Sequence, residues 1–188
     1  MASIDIQMKR LIALTVLILI PMVASAETLD LGPHGVFGIT VPKGWKFSAQ
    51  KVEDSGYAVT LSPPGNENAK CIMNLAFAPA PEPVSKEKVQ AGVLVLCDQF
   101  VSASVEKKKV IREFAISGSG YGCYCVFTDA SMVGQPSKHD EFKMVGVGII
   151  QFNDDLMAAV SLAADDEKGS DFVAMLTAVS SATITQKK

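Results

Sequence analysis

Four cysteines carry the sharpest chemistry in this sequence: Cys71, Cys97, Cys123 and Cys125. Two of them form a Cys-x-Cys unit, Cys123-Tyr124-Cys125. Such a unit could hold a strained, reducible disulfide that exchanges thiols, the chemistry of a thiol–disulfide oxidoreductase. That chemistry needs a lowered thiol pKa and exposure. The usual device for it, a helix N-terminus, is missing from the strand-like run around these residues. The expected role is therefore structural, with all four cysteines oxidised in disulfides, as an even count in an exported chain implies. In an extended strand, side chains two apart face the same side, and a direct bond between them is strained. That favours Cys123 and Cys125 each reaching a different partner, from Cys71 and Cys97. A local bend would instead close Cys123–Cys125 and leave Cys71–Cys97 as the second bridge. The pairing stays open at this level.

Other constellations are weaker. His34 sits in a turn, Gly32-Pro33-His34-Gly35, and His139 in a polar loop, Ser137-Lys138-His139-Asp140-Glu141. His139, Asp140 and a distant serine can be drawn as a hydrolase triad. A nucleophile elbow needs Gly-x-Ser-x-Gly on a strand-to-helix turn, and Gly118-Ser119-Gly120 has neither the spacing nor the setting. Asp154-Asp155 and Asp165-Asp166-Glu167 lack the alternating oxygen ligands and central glycine of a calcium loop. They read as turn and cap residues. Cys-x-Cys is one residue short of the usual zinc spacing. Met73, Met132, Met144 and Met157 are dispersed and read as core filler. No catalytic residue, metal ligand or cofactor is expected.

The address of the chain is more legible than its chemistry. Met8-Lys9-Arg10 is a basic start, Leu11 to Ile20 is an apolar run, and Ala24-Ser25-Ala26 is a small-residue cleavage motif. That is the layout of a secretory signal peptide over residues 1–26, with Met8 as an alternative start. The apolar run is too short to span a bilayer, which takes roughly 20 residues. The expected product is a periplasmic or secreted domain, residues 27–188, with no stable membrane insertion after cleavage. A net charge of −3 gives no electrostatic footprint for nucleic acid.

The elements that must position these residues alternate plainly. Val36–Val41, Trp45–Val52, Tyr57–Leu61 and Cys71–Ala78 read as strands separated by Pro, Gly and Asp turns. Ser85 is placed to cap a helix reaching about Val105, with Val89, Val93, Leu96, Cys97 and Phe100 as its apolar stripe. Val110–Ile116, Tyr121–Thr128, Phe142–Phe152 and Leu156–Ala163 read as four more strands. Ser170 is expected to cap a last helix with Phe172, Val173, Leu176 and Val179 buried. The sum is an α+β domain, an antiparallel sheet of about six to eight strands with two packed amphipathic helices. Trp45, the single tryptophan, belongs at the sheet edge or in the core beneath a helix.

Val41-Pro42-Lys43-Gly44-Trp45, closing the first strand, resembles the opening of PsbP-like domains, and the order of elements after it is similar. The last helix, leading into Ser180-Ser181, resembles that family's closing helix. The family includes photosystem II extrinsic subunits, a nuclear-transport factor and DcrB-type periplasmic proteins. It has no common catalytic centre, so the resemblance implies an architecture and no active site.

These readings converge on a non-enzymatic exported protein that binds another protein. An immunity protein against a secreted toxin and an accessory subunit of an envelope complex both fit. The alternatives are the thiol–disulfide enzyme and, third, a carrier of a small apolar ligand. Export has a direct test. N-terminal sequencing of the protein purified from the cell envelope should begin at Glu27. An intact Met1 or Met8 terminus there would remove the basis for export.

Overall fold

The computed structural model describes residues 24–52, 56–78, 81–118, 120–139 and 141–187. Most of the expected signal peptide, Asp140 of the triad reading and Ser119 of the elbow-like segment lie outside the described residues. Ten strands and two helices follow in the order β1 (Ser25–Asp30), β2 (Val36–Val41), β3 (Lys46–Val52), β4 (Gly56–Ser62), β5 (Lys70–Phe77), α1 (Lys86–Val101), β6 (Arg112–Glu113), β7 (Tyr121–Thr128), β8 (Met144–Gln151), β9 (Leu156–Ala164), α2 (Ser170–Ser180) and β10 (Thr183–Thr185). The fold is α+β, as expected. Seven strands form one antiparallel sheet in the order β3-β4-β5-β9-β8-β7-β6. The other three make a small antiparallel sheet, β1-β2-β10.

Each face of the large sheet packs differently, and residue parity along the strands decides which side chain goes where. On β7, Cys123, Cys125 and Phe127 point to α1, which packs over β7 and β8. Tyr124 and Val126 point the other way, into the main core with Phe37, Leu61, Met73, Ile150, Leu162 and Phe172. α2 closes that core against β9 and β2. Phe172 is 1% exposed; burying such a ring stabilises the domain by roughly 2–3 kcal/mol.

Local chemistry accounts for the ends of the elements. The Ser85 hydroxyl accepts from the Lys88 backbone N–H at 3.3 Å, the capping bond expected of it. Ser170 is instead the first residue of α2, and Gly169 stands at the cap without a side-chain bond. The buried stripe of α2 is Phe172, Met175, Ala178 and Val179, whereas Val173 is exposed. Trp45 is half-buried at the entrance to β3 and packs on the main core. Its backbone N–H donates to the Pro42 carbonyl at 3.0 Å, and Gly44 between them takes φ +80°, open to glycine at no steric cost. β3 is the outermost strand beyond β4, and Ser48 to Val52 are exposed along it.

Three further expectations shift. The strand read over Val110–Ile116 shrinks to Arg112–Glu113, because Ile116 N–H turns back to the Phe114 carbonyl at 2.9 Å. β1 and β10 were hidden in polar sequence and exist through pairing with β2. Met73 and Met144 are buried, but Met157 is 39% exposed. No helix among the described residues is long and apolar enough to cross a membrane.

The β7–β8 pair also depends on missing side chains. A Cβ on Gly148 would stand 2.5 Å from the Cys123 carbonyl oxygen and 2.8 Å from both the Phe114 ring and Tyr124 Cβ. Phe114 and Tyr124 stack there at 4.5 Å between centroids. Gly148→Ala should therefore cost roughly 1–3 kcal/mol through overpacking. Urea denaturation measures it, and an unchanged midpoint would refute this packing.

Candidate functional site: a thiol cluster and an open sheet face

Cys97 on α1 meets Cys123 and Cys125 on β7 in one apolar cluster with Val89, Val93, Phe127 and Val147. All three sulfur-bearing residues are 0% exposed. The Cys97 thiol lies 3.9 Å from the Val147 carbonyl, the residue opposite Cys125 in the β7–β8 register. Cys71 is also fully buried, but on β5 beside Met73 and Leu61, in the main core. Its register partner is Leu162, whose neighbour on β8 is Gly146 and, beyond that, Val126 of β7. All of these belong to the face opposite α1. No disulfide joins any two of the four cysteines in this structure. Any pairing of Cys71 with Cys97, Cys123 or Cys125 would have to pass through the sheet, so the two-bridge arrangement expected from the sequence does not fit this placement.

Burial sets the chemistry of these thiols. Desolvation pushes Cys71 up to about 12. Desolvation and then the adjacent Cys125 push Cys97 up to about 12. Cys123 and Cys125 are raised mainly by burial as well. A thiol-exchange nucleophile needs the reverse, a lowered pKa and access.

His34 is not a free loop histidine. Its ring stacks on Phe77 at 3.8 Å between centroids, and its Nδ1 lies 2.9 Å from Asp155 Oδ2. The contact ties the turn before β2 to the β8–β9 hairpin. His139 is exposed and pairs with Glu67. The acidic clusters work as turn residues: Asp166 Oδ1 accepts from Lys168 N–H at 2.9 Å, and Asp165 accepts from Ser137 Oγ at 2.7 Å. Among the described residues, no group of three or more His, Cys, Asp or Glu is arranged to hold a metal ion.

Two surfaces among the described residues bear on function. A cavity of about 280 Å³ opens at the C-terminal end of α1, lined by Phe100, Phe127, Phe142, Met144 and Val145. Phe100 and Phe127 stack at its wall, 5.6 Å apart. The second surface is the α1-side face of the sheet beyond α1. Ser48, Thr60, Ile72 and Ser161 align there across β3, β4, β5 and β9. The next row is Gln50, Ala58, Asn74 and Ala159. All eight are exposed or partly exposed, and none is charged. Lys46 and Lys70 stand at one end of this face. Sequence reading missed it, because the alternation marks two faces for each strand without saying which one a helix covers.

No protein-family model matches the sequence, and no curated protein matches it. Among solved structures the chain is similar to a point mutant of the protein Mog1, with 12% sequence identity and a TM-score of 0.45 over 87% of this chain and 97% of that one.

The thiol environment predicts a pH profile. With all cysteines reduced, the native protein should resist iodoacetamide at pH 7, where unfolded protein reacts fully. Because burial raises the thiol pKa values, the native rate should still be climbing above pH 9, beyond the ordinary thiol range of about 8.5. Rapid native alkylation at pH 7 with a plateau below pH 8 would instead identify an activated thiolate. Mass mapping by residue distinguishes the two.

Proposed function

We propose that the chain is a non-enzymatic exported protein that binds another protein across the open face of β3, β4, β5 and β9. The observation that carries this reading is the absence of charge from the two central rows of that face. Protein interfaces are depleted of charged residues at their cores. Short side chains, Ser161, Thr60, Ala58 and Ala159, let a partner's backbone or aromatic groups approach the sheet closely. The lysines at the end of the face, Lys46 and Lys70, would sit on its rim. The resemblance of Val41-Pro42-Lys43-Gly44-Trp45 to PsbP-like domains, which implies an architecture without an active site, is compatible with this reading. The buried, raised thiols weigh against the oxidoreductase reading.

A second reading has one observation in its favour, the aromatic cavity at the end of α1. At about 280 Å³ it falls just below the range of ordinary small-molecule pockets, about 300–1,000 Å³. It suits a single small ring better than a lipid chain.

The test uses the full chain with a C-terminal tag, purified from the envelope with whatever binds it. Asn74→Lys and Ala159→Lys place a charge at exposed positions of the face, where folding tolerates them. Each should weaken partner capture about tenfold or more. Val173→Lys, on the exposed side of α2, should leave capture unchanged. Equal capture by all variants would remove the face from the proposal. No partner at any salt concentration would remove protein binding itself.

A further inference from the structure

The cysteines on the α1 side of the sheet are not equivalent. Contacts along α1 and β7 rise in step. Gln90 Nε2 donates to the Tyr121 hydroxyl at 3.0 Å. In the last turn of the helix, the Phe100 ring stacks on Phe127. Cys97 lies between Gln90 and Phe100, as Cys125 lies between Tyr121 and Phe127. Cys97 and Cys125 share one buried cluster, and Cys97 Sγ lies 3.9 Å from the carbonyl of Val147, the register partner of Cys125. Cys123 is one strand repeat further back, opposite Ile149, not Val147. Cys71 faces the opposite core.

We propose that Cys97 and Cys125 are a site of oxidation, forming one disulfide that staples α1 to β7 and leaving Cys71 and Cys123 as thiols. The oxidant is a small-molecule disulfide of two monothiols, such as oxidised glutathione. One cysteine thiolate attacks a sulfur of the oxidant, breaking its S–S bond and releasing one thiol. The second cysteine then attacks the protein-side sulfur of the mixed disulfide and releases the other thiol. The two cysteines lose two protons and two electrons in total, and the oxidant is reduced to two thiols. Burial of both sulfurs places this exchange during folding, before α1 closes over the sheet, because the closed state offers no access and no ready thiolate. The bridge depends on packing within the domain, not on the partner or on the route of export.

The experiment refolds the reduced full chain in oxidised and reduced glutathione. It then measures intact mass, free thiols and the cross-linked peptide. The expected product has lost two hydrogens, retains two free thiols and yields a Cys97–Cys125 peptide. A variant carrying Cys71→Ser and Cys123→Ser should form the same bridge, and Cys125→Ser should not form it. Reducing the bridge should lower the melting temperature by roughly 5–10 °C. A bridge containing Cys71 or Cys123 overturns the proposal. So do four free thiols after oxidative refolding. If the Cys125→Ser protein does not fold, peptide mapping of the unsubstituted chain still decides the pairing.

Discussion

Everything in this domain hangs on the pairing of β7 with β8. Both strands are buried on both faces, so a slip of one residue would exchange two unlike cores. With the observed register, Cys125 lies opposite Val147 under α1, and Tyr124 lies opposite Gly148 on the other side. Gly122, Gly146 and Gly148 leave room there for Phe114, Ile150 and Phe172. A slipped register would aim Cys123 and Cys125 at that tight glycine-lined core and Tyr124 at the helix. The packing on either side thus selects the same pairing, and β9, β5 and the strands beyond inherit their facing from it.

Much of the fold was legible because several segments obey one local rule without conflict. Val36–Val41 and Tyr121–Thr128 are β-branched or aromatic runs bounded by glycine or proline, and the strands coincide with them. Ser85 and the stripe Val89, Val93 and Cys97 mark α1 at both the cap and the buried face. The errors have a common source. β1 and β10 are too short and polar to stand on pattern; only β2 makes them strands. Val173 follows Phe172 in an apolar run, but the sheet accepts Met175 instead, one helical turn on.

The candidate sites were less legible, and for a sharper reason. Parity along a strand groups residues into two sets, and that much was readable for Cys123 and Cys125. Which set on β5 shares a layer with them depends on registers running through β9 and β8. That chain of pairings puts Cys71 beyond reach, and no spacing in the sequence encodes it. The same holds for the uncharged rows of Ser161 and Ala159. Their exposure follows from α1 lying over β7 and β8 and stopping short of β9, a tertiary choice. His34 illustrates the converse: a residue in turn-like sequence is recruited by Phe77 and Asp155 from distant strands.

The outermost strand, β3, has a consequence for the protein in a crowded compartment. A sheet edge offers its free backbone groups to any other strand, including that of a second copy. Here that edge carries Lys46 and Lys51, one on each face of the sheet. Two copies joining edge to edge would crowd ammonium groups from both chains along the seam, on both sides of the joined sheet. Charge repulsion thus guards the long margin that β3 gives the large sheet among the described residues, and the uncharged face beside it can stay open without becoming the start of a filament.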